Sequence, residues 1–440
     1  MTHAGTAAAP LPPGLLFLQI AVILGVAIGV GRLLARAQQP AVVAQMIAGV
    51  MLGPSLFGLL LPDVQGALFP RASVPVLNGL GQVGVAIYMF GVGFEIDFAF
   101  VKRNLRSAAA VGFGGVVFPL VIGALLGAYL VHDTRLFPPL AHPWVAVVFF
   151  AAAIAVTAFP VMAAIITERG LLGTAVADLC LVCGCFSDFA AWSLLALVLA
   201  ALVGNMANAA ITLAGAAAYV LVVILVVRPL LARVFGGLEG DGHGGGWRDV
   251  VLMTVMFAGA WSTELIGIHA AFGTFVMGAA MPRIAALGSV QERLRPFVVA
   301  FLLPLYFTSS GLNTRVNLLN NGNLVFLTLL IVFVACTSKG VVCAAAAKLT
   351  GRTTRQALAV GALMNARGLV ELVILSIGLQ HGVITPTLYA MMVVMTIVTT
   401  IAASPALRLI YGPLPLGSAP VRVSVPLEPV ARESAVTVEA

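Results

Sequence analysis

From about residue 14 to residue 411 the chain is a succession of long apolar blocks separated by short polar connectors. Nothing else in it constrains the fold as tightly. A block of about 18 or more apolar residues is long enough to cross the hydrocarbon core of a bilayer as a helix. Only 9% of the 440 residues are charged, against about 25% in ordinary soluble proteins, so a normal water-facing surface cannot be assembled. The sequence reads as an all-α polytopic membrane protein. About thirteen spans are predicted, near residues 14–34, 40–61, 74–94, 107–131, 143–167, 175–201, 206–231, 250–266, 268–282, 296–312, 323–347, 356–380 and 384–411.

The basic residues orient this set. With the N-terminus outside, the outer side receives Arg71, Arg135 and Arg315, and Lys339 and Arg367 stay within spans. Every other Lys and Arg falls on the cytoplasmic side, as the positive-inside rule requires. A multi-pass inner (plasma) membrane protein with a cytoplasmic C-terminus is expected. The net charge of +7 is therefore topogenic. No basic face with interleaved aromatics marks a nucleic-acid site.

Residues 1–13 lack the basic n-region of a signal peptide, and the block ending at Arg32 suits a retained span better than a leader cleaved at Ala35-Arg36-Ala37. The connector 232–249 is Gly-rich, a flexible linker near the chain midpoint that includes His243. The Pro-rich tail 412–440 is expected to be disordered, and too short for a soluble domain. Cys180, Cys183, Cys185, Cys336 and Cys343 all lie in apolar blocks without zinc-site spacing, and read as small packing residues. No His-Glu-x-x-His or Gly-x-Ser-x-Gly occurs, and His269 and His381 read as interfacial packing, so an enzyme is not expected and no cofactor is implied.

Four ionisable residues fall at bilayer depth, where each one is a functional hypothesis by default: Asp188, Lys339, Arg367 and Glu371. Asp188 sits at the centre of the sixth span. A carboxylate there can hold a proton or, once ionised, a hard monovalent cation, and those two uses of one group compete. Ser187, Thr157 and freed backbone carbonyls could complete an oxygen shell. Lys339 is a candidate counter-charge to Asp188, although a lysine two turns from a span end can also snorkel to the surface. Arg367 and Glu371, four residues apart, share a helix face and can form an internal ion pair.

Two spans are interrupted. Thr157-Ala158-Phe159-Pro160 falls within the fifth, where proline removes a backbone hydrogen bond. Asn365-Ala366-Arg367-Gly368 falls within the twelfth. Unsatisfied backbone at that depth is tolerated only inside protein or along a watery cavity. Breaks at corresponding positions of two halves point to an inverted-repeat transporter with its site between them.

The stretches 157–172, 267–278, 302–312 and 363–372 resemble, in order, motifs of the cation/proton antiporter-2 family, close to its Kef-like and plant-type cation/H⁺ exchanger branches. That resemblance implies the NhaA-like fold, with two crossed discontinuous helices and a homodimer in the lipid bilayer. It implies a scaffold of 14–97 and 250–314 that carries the dimer contact. A transport core of 107–201 and 323–411 would be joined to it by a linker helix at 206–231. It also implies elevator-type exchange of Na⁺ or K⁺ for H⁺, with Asp188 the shared carboxylate, Thr157 an oxygen donor at the break and Lys339 a basic residue facing the site. Family members usually carry Asp, Asn or Gln where this chain has Ser187. A second carboxylate goes with electrogenic exchange, so its absence favours one cation per proton. The alternatives are a proton-coupled transporter of an organic substrate on the same scaffold, and a cation channel.

Overall fold

The computed structural model describes residues 13–37, 39–70, 72–95, 104–139, 143–203, 207–236, 245–282, 285–312 and 321–411. Several features read from the sequence lie outside these residues. They are the stretch before residue 13, the glycines and His243 of 237–244, the tail 412–440, and Arg71, Lys102, Arg103, Arg283, Arg315, Arg422 and Arg432.

Every described element is helical. Among the described residues, ten helices are long and apolar enough to cross a bilayer: Gly14–Ala35, Ala41–Leu60, Val74–Glu95, Leu105–Leu130, Pro143–Glu168, Ala175–Leu195, Ala210–Val234, Asp249–Ile266, Gly322–Leu349 and Pro386–Tyr411. They correspond to ten of the thirteen predicted spans. The other three fall on shorter or interrupted helices: Ala270–Ala280, Val298–Leu302 continued by Leu303–Gly311, and Thr354–Met364 followed by Leu369–Gln380.

The helices pack in two sets. One comprises α1 (Pro13–Ala35), α2 (Ala41–Leu52), α3 (Val74–Glu95), α9 (Gly245–Ile266), α10 (Ala270–Ala280), α11 (Ala285–Phe297) and α12 (Leu303–Gly311). The other comprises α4 (Leu105–Leu130), α5 (Pro143–Ala155), α6 (Phe159–Glu168), α7 (Ala175–Val203), α13 (Gly322–Leu349), α14 (Thr354–Met364), α15 (Leu369–Gln380) and α16 (Pro386–Tyr411). Helix α8 (Ala207–Val222), which runs on through a π turn at Val223–Val227, packs on α7 and on α9.

Lipid tails are as apolar as leucine, so helix association in a bilayer depends on close packing rather than on escape from water. Glycine supplies that closeness between α3 and α10. A Cβ on Gly278 would strike the Phe90 carbonyl, and one on Gly93 the Phe275 carbonyl. Caps fix where helices begin. Thr353 and Gln356 form a reciprocal capping box at α14, and the Asn321 side chain accepts from Asn323 N–H at α13.

The two sets meet through more than one kind of contact. Where α6 ends, the Glu168 carboxylate accepts from the N–H groups of Ala41 (2.6 Å) and Val42 (3.2 Å) at the start of α2. Beside it the Tyr88 hydroxyl of α3 donates to Thr167 at 2.9 Å. A carboxylate on a helix N-terminus also gains from the macrodipole. Elsewhere the contact is ring on ring: Phe159 edge-on to Phe275, and Trp192 stacked on His269. His269 caps α10, its Nδ1 accepting from Ala271 N–H at 3.2 Å, which accounts for this buried histidine structurally. His381 is exposed at the end of α15, its Nδ1 2.9 Å from the Ile377 carbonyl. Cys180, Cys183, Cys185 and Cys343 are buried free thiols, and no metal-holding cluster occurs among the described residues.

Candidate functional site: two helix breaks and a buried carboxylate

The break between α5 and α6 spans Val156–Ala158. Pro160, in the first turn of α6, has no N–H to offer the carbonyl of Val156 four residues back, so the helix cannot run through. The last carbonyls of α5 are thereby orphaned in the middle of the protein, at the negative end of a helix dipole.

Two cations take them. The Arg367 guanidinium donates to the carbonyls of Ala153 (3.0 Å) and Ile154 (2.5 Å), and the Lys339 ammonium donates to that of Ala155. Lys339 also reaches Ser187 Oγ at 3.1 Å, and Ser187 itself lies 3.5 Å from the Ala155 carbonyl. Arg367 further pairs with Glu371 at 3.3 Å, and all three charged residues are fully buried. The end of α5 is thus capped by charge drawn from α13 and from the second break.

That second break, Asn365–Gly368, is held by its own set of bonds. Thr157 Oγ1 donates to the Met364 carbonyl (3.0 Å), and Ala158 N–H donates to the Ala366 carbonyl (3.0 Å), so the two breaks are hydrogen-bonded to each other. The Asn365 amide donates to the carbonyls of Cys336 (3.2 Å) and Gly361 (3.3 Å). Gly368 precedes α15 where a Cβ would collide with Val161 of α6, so close approach of the two broken helices requires glycine there.

Asp188 lies on α7, one residue past Ser187, and is fully buried. Neither of its carboxylate oxygens has a hydrogen-bond partner among the described residues. Lys339 donates instead to Ser187, the residue before Asp188, and to the Ala155 carbonyl at the end of α5. The structure therefore assembles Thr157, Pro160, Ser187, Lys339, Asn365, Arg367, Gly368 and Glu371 into one connected region, with Asp188 at its edge and uncommitted. An unsatisfied buried carboxylate is costly.

Sequence reasoning did not find the acceptors of the two cations, the carbonyls of Ala153, Ile154 and Ala155. It also passed over Thr400 of α16, whose hydroxyl accepts from Arg367 N–H at 3.0 Å and lies 2.8 Å from the Arg367 carbonyl. Backbone acceptors carry no side-chain signal, and Thr400 sits in an apolar run with nothing to single it out.

Residues 20–410 match the family described as sodium/hydrogen exchanger, transmembrane. The chain belongs to that family. The motifs quoted above at 157–172, 267–278, 302–312 and 363–372 all lie within the matched stretch. Among relatives of this exchanger is the Na(+)/H(+) antiporter NhaS4 of Synechocystis sp., 35% identical over 404 residues, covering 90% of this chain and 97% of that one. The K(+)/H(+) antiporter 1 of Saccharomyces cerevisiae is 33% identical over 385 residues, covering 85% of this chain but only 44% of that longer protein. The exchanger also shares its fold with the sodium proton antiporter MjNhaP1 of Methanocaldococcus jannaschii, at a TM-score of 0.61 and 16% identity, covering 90% of this chain and 96% of that one.

Proposed function

We propose that this exchanger moves a monovalent cation, Na⁺ or K⁺, in one direction and H⁺ in the other, with Asp188 carrying each in turn. One observation carries the reading: Asp188 is a fully buried carboxylate whose oxygens have no hydrogen-bond partner among the described residues, while the nearby Lys339 ammonium donates to the Ala155 carbonyl and to Ser187. A carboxylate in that state has two ways to relieve its burial, a proton or a metal cation, and it cannot use both at once. Competition for one group is the coupling.

Thr157 and Ser187 would supply further oxygen ligands at the break, and Lys339 would act as a nearby counter-charge that disfavours a second bound cation. With a single carboxylate serving both ions, one cation per proton, an electroneutral exchange, follows. The set containing α4–α7 and α13–α16 would move as the transport core against the other set, which would carry a homodimer contact in the bilayer. The linker helix at 206–231 would join them, giving elevator-type alternating access in an inner (plasma) membrane with the N-terminus outside. The helices broken at 156–158 and 365–368 would be the crossed discontinuous pair of an NhaA-like inverted repeat. The relatives named above include both a Na⁺ and a K⁺ antiporter, which supports the class of cation without choosing within it.

The test is exchange in everted vesicles reporting internal pH with a dye. Addition of Na⁺ or K⁺ is expected to move protons in vesicles carrying the native chain and not in those carrying Asp188→Ala. Equal proton movement in both would end the proposal.

A further inference from the structure

Buried threonines on membrane helices ordinarily bond back to a carbonyl on their own helix and do nothing else. On α16, Thr399 fits that description: its hydroxyl donates to the Thr396 carbonyl at 3.1 Å. Thr400, one residue on, accepts from the Arg367 N–H at 3.0 Å, 33 residues away, and its one hydrogen lies 2.8 Å from either of two acceptors, the Thr396 carbonyl on its own helix and the Arg367 carbonyl. Both threonines are buried. The difference lies in what they touch.

At a helix break the backbone N–H and C=O lose their intrahelical partners, and each must be satisfied or the segment re-forms elsewhere. For Arg367 a single hydroxyl answers both. Oγ1 accepts from its N–H and can turn its one hydrogen toward its C=O. This fixes residue 367 at the point from which its guanidinium reaches the carbonyls of Ala153 and Ile154. Beside it Lys339 donates to Ala155 and Ser187, and Asp188 has no hydrogen-bond partner among the described residues.

We propose that Thr400 is a positioning residue for exchange: by clamping the Arg367 backbone it keeps both cations on the end of α5 and off Asp188. This rests on the reading of Asp188 as the exchange carboxylate. Without the clamp, Arg367 loses its register on α5, Lys339 gains freedom to approach Asp188, and an ammonium there competes with the transported cation. The signature is a raised KM for the cation with a smaller change in maximal rate.

The experiment compares Thr400→Val with Thr399→Val, the same chemical change one residue apart, and with Thr400→Ser, which keeps the hydroxyl. Two readouts are taken on the full chain: cation KM for H⁺ exchange in proteoliposomes, and hydrogen exchange of the backbone at 365–368 in purified protein. Thr400→Val is expected to raise KM and to speed exchange at Arg367 N–H, each by about fivefold, the factor that matches one ordinary hydrogen bond. Thr399→Val and Thr400→Ser are expected to stay near the native values. If Thr400→Val fails to accumulate, Thr400→Ala carries the same comparison against Thr400→Ser. Thr400→Val matching Thr399→Val in both readouts, or Thr400→Ser matching Thr400→Val, would overturn the proposal. Absence of cation-driven proton movement in the native protein would instead strike the function proposed above, and the amide-exchange result would still decide the clamp.

Discussion

Asp188 and Glu371 are both fully buried carboxylates, and each sits close to a helix break: Asp188 follows the serine that touches the end of α5, and Glu371 follows Gly368 by three residues. Their surroundings differ in kind. Glu371 has a guanidinium 3.3 Å away whose remaining bonds tie two helices together. Asp188 has no hydrogen-bond partner among the described residues, although Lys339 bonds its chain neighbour. Burial is thus the same for both acids, and the donors beside them differ: Arg367 reaches one oxygen of Glu371, while Lys339 donates to Ala155 and Ser187 and not to Asp188.

The comparison breaks most visibly on substitution of the two acids. Asp188→Asn is expected to reduce cation-driven proton movement to background while leaving the melting temperature of the purified protein at or above the native value, since an unsatisfied buried carboxylate is removed. Glu371→Ala is expected to do the reverse. Removing one partner of a buried ion pair costs about 3–5 kcal/mol, so the protein should melt at clearly lower temperature, with residual exchange in whatever fraction stays folded. A Glu371→Ala protein as stable as the native one would mean that the pair does not hold the break. Lys339→Ala should have a smaller effect of opposite sign on binding. Loss of a positive charge near Asp188 is expected to strengthen apparent cation affinity, by about tenfold, read as a lower KM. Smallest of all, Ser187→Ala removes one acceptor of Lys339 and should shift KM by about fivefold or less. A shift larger than that of Lys339→Ala would show that Ser187, as a neutral oxygen ligand, outweighs the charge of Lys339.

Much of this was legible in the chain because it is written locally. Apolar blocks of spanning length, a proline within a span, and charges at bilayer depth are each visible within one stretch of sequence, and they locate both breaks and all four ionisable residues. The partners are another matter. Arg367 meets carbonyls more than 200 positions away, and Lys339 meets one 184 positions away. Those acceptors are backbone atoms of Ala153, Ile154 and Ala155, whose side chains advertise nothing. Lys339 reads from the sequence as a partner for Asp188 because opposite charges at one depth attract. In the fold, the negative end of a broken helix competes for the same ammonium and holds it through Ala155 and Ser187. Short helices were also hard to read, since Ala270–Ala280 is eleven residues long and Val298–Leu302 is a π turn just before Pro304.

The central claim is that one proton and one cation contend for Asp188, and it can be tested without a membrane. Purified protein in weak buffer is mixed with Na⁺ or K⁺ and proton release is followed with a pH dye. Release on mixing is expected from the native chain and from Glu371→Gln, and none from Asp188→Asn. Undiminished release from Asp188→Asn would contradict the claim.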